Sequence, residues 1–107
     1  MKNTTKSTKK FRKKIKKIIK KNKLPETNGV YEFFDQNGKS LYVGRSKNIK
    51  QRVLQHFDPS HASGEEITRL QNLKVDNIRY IITPNARIKE KILVRTKKPI
   101  LNKVKYY

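Results

Sequence analysis

Two tyrosines, two arginines and one glutamate hold most of the chemistry that this sequence offers. Tyr31 and Tyr42 fall in two short runs of β-forming residues, Gly29-Val30-Tyr31-Glu32-Phe33-Phe34 and Leu41-Tyr42-Val43-Gly44. Arg45 follows the second run directly, and Arg52 lies one element later. A phenol accepts protons poorly at neutral pH, but neighbouring cations stabilise its phenolate and make it a possible base. Two guanidinium groups suit the charge that develops on a phosphoryl group under attack. A metal ligand is the missing part. Beyond Asp76 the only acid is Glu90, between Lys89 and Lys91. One carboxylate can hold Mg²⁺ beside a phosphate, because Mg²⁺ keeps most of its water. Other chemistries lack their parts. The four glycines are scattered, so there is no phosphate-cradling loop, and His56 and His61 without any cysteine are too few for a zinc site.

Charge narrows the partner. Lys and Arg number 28 against 8 acids in 107 residues, a net charge of +20. Self-repulsion of that size favours a polyanionic partner, nucleic acid before an anionic membrane. There is no cysteine, no apolar run long enough to span a membrane and no signal-peptide core, so we expect a cytoplasmic protein with no membrane partner.

The charge divides the chain near Pro25. Residues 1–24 hold 12 basic residues and no acid, and residues 25–107 hold the other 16 with all 8 acids. We therefore read a Lys-rich N-terminal arm, 1–24, and a domain, 25–107. Phe11, Ile15, Ile18 and Ile19 make one apolar stripe of a helix over about 8–22, while Met1 to Thr8 are expected to lack structure. Such a helix can dock on the domain, track phosphates through Arg12, Lys13, Lys16, Lys17 and Lys20, or lie on lipid. Lys47 is the matching nucleic-acid candidate on the domain. If the arm tracks phosphates, removing residues 1–24 should weaken binding uniformly across sequences.

The elements that must position the tyrosines follow from local pattern. Asn37-Gly38 signals a hairpin, with paired residue numbers summing to 75, so that Phe33 faces Tyr42 and Tyr31 faces Gly44. Tyr31, Phe33 and Tyr42 then share one face; Val30, Phe34, Leu41 and Val43 share the other, which reads as a core face. Asn48 and Gln51 suggest a capping box before a helix over 49–57, with Ile49, Val53 and Phe57 buried. A shorter helix is predicted from Ser63 to Leu73, a third strand from Val75 to Thr83 with Ile78, Tyr80 and Ile82 on one face, and a last helix from Pro84 to about Thr96. The fold class is α+β: a small three-stranded antiparallel sheet flanked by helices.

Gly29-Val30-Tyr31 followed by Tyr42-Val43-Gly44 resembles the double signature of the GIY-YIG nuclease family. The segment from Tyr42 to His56 is similar to that family's second strand and first helix. Ala86 to Glu90, then Leu93-Val94, Lys98-Pro99 and Asn102, resembles its closing helix. The likeness runs from Gly29 to Asn102.

The resemblance implies roles. Glu90 holds one divalent metal, Mg²⁺ or Mn²⁺, and Tyr31 or Tyr42 deprotonates or orients the attacking water. Tyr31 is favoured because Gly44 opposite it should leave room for water and phosphate. Arg52 clamps the phosphate, and Arg45 stands where relatives often carry Lys. His56 bonds the water, a tyrosine or the phosphate, and Asn102 positions the end of the site. The implied reaction is phosphodiester hydrolysis leaving a 3′-hydroxyl and a 5′-phosphate. Valine replaces isoleucine in both signatures, and Leu101 stands where an aromatic is common. No zinc finger or other specificity unit is expected within 107 residues.

Each residue also has a plainer reading. The tyrosines suit a cross-strand aromatic pair, His56 a core histidine, Arg52 a solvated charge and Glu90 a salt-bridge partner. Taken together the residues predict a metal-dependent DNA endonuclease with weak sequence readout, in repair or restriction, with no obligate protein partner. A non-catalytic nucleic-acid-packaging protein and an RNA nuclease are the alternatives.

Overall fold

The computed structural model describes residues 2–103, with side chains described for residues 9–102. Its elements are α1 (Lys2–Lys21), β1 (Gly29–Phe34), β2 (Ser40–Ser46), α2 (Ile49–His56), α3 (Gly64–Asn72), β3 (Asn77–Ile82), α4 (Ala86–Lys97) and a closing 3₁₀ turn, Leu101–Lys103. The three strands form one antiparallel sheet in the order β2-β1-β3.

The hairpin register is the expected one from Gly29↔Ser46 to Phe33↔Tyr42, then shifts so that Phe34 pairs with Ser40. Asp35 Oδ1 accepts hydrogen bonds from the backbone of Asn37 and Lys39, and Gly38 supplies the positive φ of +80°. The shift leaves Leu41 as the extra residue of a β-bulge, which breaks the alternation. Leu41 therefore joins Tyr31, Phe33 and Tyr42 in the main core rather than Val30 and Val43. The aromatic face is thus the principal core face, where the alternation had pointed to the other. It is covered by Phe11, Ile15 and Ile19 of α1, Ile49 and Val53 of α2, and Ile67 and Leu70 of α3. On the second face, α4 covers a smaller cluster of Val30, Val43 and Ala86, and Lys97 Nζ donates to buried Glu32 at 2.9 Å.

Several boundaries differ from the sequence reading. The helix α1 starts at Lys2, because no Gly or Pro interrupts the run before Lys21; Met1 lies outside the described residues. Its stripe is built into the core, Phe11 meeting Phe57 edge-on at 5.6 Å. The division at Pro25 is one of charge, since both sides share one core, and cutting off residues 1–24 would remove four buried apolar side chains with the lysines. Asn48 caps α2 by accepting from Gln51 N–H, but its own N–H donates to Ser46 Oγ, so Ser46 replaces the glutamine half of the box. Ser63 caps α3 as expected. Pro84 sits in a turn and α4 starts two residues later. Ile82, the last residue of β3, is 59% exposed, whereas Ile78 earlier in the strand is buried.

Ile15 is 1% exposed, so Ile15→Ala is expected to cost about 2–5 kcal/mol of stability. Lys16→Ala beside it should stay within about 0.5 kcal/mol. Urea unfolding of the two variants checks that α1 is part of the core.

Candidate active site

The site forms at the β2 edge, where α2 reaches from one face of the sheet and α4 from the other. Lys98 takes a left-handed conformation (φ +47°) at the end of α4, Pro99 follows, and the chain turns around that edge. Asn102 then joins β2 side-on: its Oδ1 accepts from Val43 N–H and its Nδ2 donates to Val43 O, both at 2.8 Å. Both ends of its carboxamide are thereby engaged. Asn102 holds the wall of the site beside Tyr42.

Tyr42, Glu90, Lys91, Arg95 and Asn102 line one open groove of about 690 Å³. Arg45 Nε donates to Glu90 Oε1 at 3.2 Å, joining β2 to α4 across the site. So Glu90 does have an ionic partner, supplied by the strand rather than by its own helix. Arg52 is exposed on α2, yet its charge acts on Tyr31, Tyr42 and His56 together.

Behind the groove lies a buried aromatic group. Tyr31, Phe33, Tyr42 and His56 stack at centroid distances of 5.3–6.1 Å. The Tyr31 hydroxyl and His56 Nε2 are 2.7 Å apart, while His56 Nδ1 has no partner among the described residues. A buried bare acceptor is better tolerated than a buried orphan N–H, which assigns the proton to Nε2. His56 Nε2–H then donates to Tyr31, and the Tyr31 hydroxyl donates toward Tyr42. Burial pushes the Tyr31 phenol well above its ordinary range, with the neighbouring Tyr42 adding to the effect and Arg52 opposing it. Tyr42 is also raised by burial, but Arg52 and the hydrogen bond from Tyr31 pull it back. Burial favours the neutral form of both phenols, and of the two Tyr42 is the one that gives up its proton first.

The expected space beside Gly44 is absent. A Cβ placed there would lie 2.4 Å from the Tyr31 hydroxyl and 2.8 Å from the Tyr42 ring. Gly44 makes room for Tyr31 itself, not for water or phosphate. Tyr31 is 1% exposed and Tyr42 is 7% exposed, and only Tyr42 lines the groove. The reason for preferring Tyr31 as the base falls away.

The structure brings Tyr42, Glu90 and Asn102 to one groove, with Arg45 bonded to Glu90, the Arg52 charge acting on the phenols, and Tyr31 and His56 behind. Arg12, Lys13, Lys16, Lys17 and Lys20 lie on α1, which packs against α3 and β3, away from the β2 edge. Sequence reasoning missed Lys91 and Arg95. Their signal was present: Arg87, Lys91 and Arg95 recur every fourth residue, on one side of a helix.

His56 is held neutral, its pKa lowered to about 3 by burial and then by the Arg52 charge. An unfolded imidazole titrates near pH 6.5. The stability that neutral burial contributes is complete above about pH 6.5 and declines as pH falls toward 3, because only the unfolded chain takes up the proton. Between pH 7.5 and 5.0, urea unfolding should show wild type losing about 2 kcal/mol more than His56→Phe.

Comparison with known proteins gives the family and the fold. A family model described as the UvrC-like GIY-YIG domain matches residues 27–103. The UvrABC system protein C of Dictyoglomus thermophilum is 38% identical over 82 residues, covering 74% of this chain and 13% of that protein. That of Flavobacterium johnsoniae is 37% identical with the same coverage. The chain thus spans about an eighth of the length of these curated relatives. The GIY-YIG N-terminal endonuclease domain of UvrC from Thermotoga maritima, solved with its catalytic divalent cation, magnesium, superposes with a TM-score of 0.62 at 29% identity, covering 77% of this chain and 92% of that one. A point mutant of the same domain gives a TM-score of 0.64 at 30% identity, covering 78% and 92%. The matched family region begins after α1.

Proposed function

This chain belongs to the family of UvrC-like GIY-YIG nuclease domains, and we propose that it hydrolyses phosphodiester bonds in DNA with little sequence readout, using Glu90 to hold a divalent cation. The observation that carries the reading is the convergence of Tyr42, Glu90 and the Arg45 ion pair on one open groove, with the Arg52 charge acting on the phenols.

The donor set fits Mg²⁺ or Mn²⁺. Among the described residues no group of three His, Cys, Asp or Glu side chains comes together, which excludes a zinc-type cage there. A lone carboxylate, 25% exposed in a wide groove, suits a cation that retains its water. When bound, such a cation supplies positive charge against the scissile phosphate.

The protein groups do the rest. Tyr42, at the groove surface, first gives its own proton to solvent and as the phenolate accepts the proton of the attacking water, while the leaving 3′ oxygen takes a proton from solvent. Arg52 favours the phenolate and draws the phosphate, and Tyr31 with His56 holds the Tyr42 oxygen by the hydrogen bonds behind it. Arg45, released from Glu90, adds charge against the phosphoryl oxygens. Asn102 fixes the β2 edge from which Tyr42 projects. The products are a 3′-hydroxyl and a 5′-phosphate.

Lys91 and Arg95, which line the groove, are assigned to phosphates in this reading, and phosphate contacts carry no sequence information. Arg12, Lys13, Lys16, Lys17 and Lys20 on α1, with Lys47, add phosphate contacts. Of repair and restriction, the likeness to protein C of the UvrABC system favours repair. The proposal needs no obligate protein partner for cutting by this domain and places it inside the cell. Among the described residues no helix is long and apolar enough to cross a membrane.

Plasmid and oligonucleotide cleavage in Mg²⁺, Mn²⁺ and EDTA tests the reading, with wild type and Glu90→Gln compared at equal DNA occupancy. Wild type should cut only with metal, and Glu90→Gln should lose about 10²-fold or more. Undiminished cutting by Glu90→Gln would overturn the metal assignment. Tight binding by wild type with no cutting in any metal would favour the packaging alternative, to which the net charge of +20 also points.

A further inference from the structure

A second groove, of about 550 Å³, opens between the end of β2 and the start of α4. Arg45, Lys47 and Arg87 line it, with Asn28 and Ser46 between them, and no acidic side chain contributes. Lys47 and Arg87 are exposed and neither has an ion-pair partner among the described residues. The first turn of α4 at its rim also carries no acid.

An ion pair links the residues of the two grooves. Arg45 lines the second and bonds Glu90 in the first. On α4, Arg87 faces the second groove while Lys91 and Arg95 face the first. At 1.5 Å per residue, these three cations form a stripe about 12 Å long. A row of unpartnered cations repels itself, and a linear polyanion relieves that repulsion along its whole length. A small phosphate compound would need one groove only.

We propose that the nucleic-acid strand runs along α4, with the scissile phosphodiester at Glu90 and a neighbouring, uncut phosphodiester seated between Lys47 and Arg87, Arg45 standing between the two positions. This rests on the nuclease reading and adds to it the path of the strand and a substrate contact, Arg87. The stripe sets the direction: the strand follows the α4 axis and passes over Arg45.

The test is binding of fluorescein-labelled single-stranded oligonucleotides to the full chain in EDTA, as a function of KCl. Lys47→Gln/Arg87→Gln should reduce the slope of log K against log salt by about 0.7, the share of the one phosphodiester they seat. The control Lys39→Gln/Lys74→Gln, exposed on turns outside both grooves, should keep the wild-type slope, and thermal melting should show both double variants folded. Strands with a 5′-phosphate and with a 5′-hydroxyl should bind equally. An unchanged slope in Lys47→Gln/Arg87→Gln overturns the proposal. So does a 5′-phosphate preference that this variant abolishes, which would assign the groove to a terminal phosphate monoester. Binding in EDTA needs no cutting, so a wild type that binds as described but never cleaves would sink the nuclease reading and leave the groove in place.

Discussion

The site depends on one missing atom. Gly44 has no Cβ, and the Tyr31 ring lies in the space where one would be. That position sets the Tyr31 hydroxyl against His56 on one side and Tyr42 on the other. A side chain at residue 44 would push Tyr31 out, detach His56 from its hydrogen bond and leave the Tyr42 oxygen without its support. The close pairing of Tyr31 with Gly44 is in turn fixed by the hairpin register, and the register by the Asp35-to-Lys39 turn.

The surrounding fold serves to hold an exposed sheet edge in a defined shape. An unpaired edge strand would leave the backbone of Val43 open. Asn102 pairs with it instead, and the chain around Pro99 carries Leu101 from the α4 side into the main core. Tyr42 is thus gripped from behind by aromatics, from the side by the closing turn, and from across the groove by the α4 that carries Glu90. Helix α1 lies outside the matched family region yet buries Phe11, Ile15 and Ile19 in the same core, with Phe11 against Phe57 and Phe57 against Phe33. A dense run of lysines is kept helical in this chain because three apolar side chains give it something to pack on.

Much of this was legible in the sequence, and the rest failed for identifiable reasons. Asn37-Gly38 and the alternation gave the register through Phe33. The bulge at Leu41 escaped because it arises from the five-residue turn, which residue types alone do not specify. Asn48 and Ser63 marked their helices, whereas Pro84 did not, since Thr83 and Asn85 close a turn around it. The site residues were recognisable as a set, but their division of labour was not. Burial decides which tyrosine meets solvent, and burial depends on α1, α2 and the closing turn packing together. The Arg45–Glu90 pair is equally invisible to spacing, being formed between residues 45 apart in the chain.

The central claim is that Tyr42 handles the proton at the groove while Tyr31 holds it in place from behind. Single-turnover cleavage by Tyr42→Phe and Tyr31→Phe, each shown to be folded and at saturating DNA, tests it most directly. We predict a loss of about 10²-fold or more for Tyr42→Phe. For Tyr31→Phe we predict a smaller loss, with the rising limb of its pH–rate profile moved to higher pH as the phenolate on Tyr42 loses a donor. A Tyr31→Phe variant that is folded and cuts as poorly as Tyr42→Phe, or worse, would contradict the account.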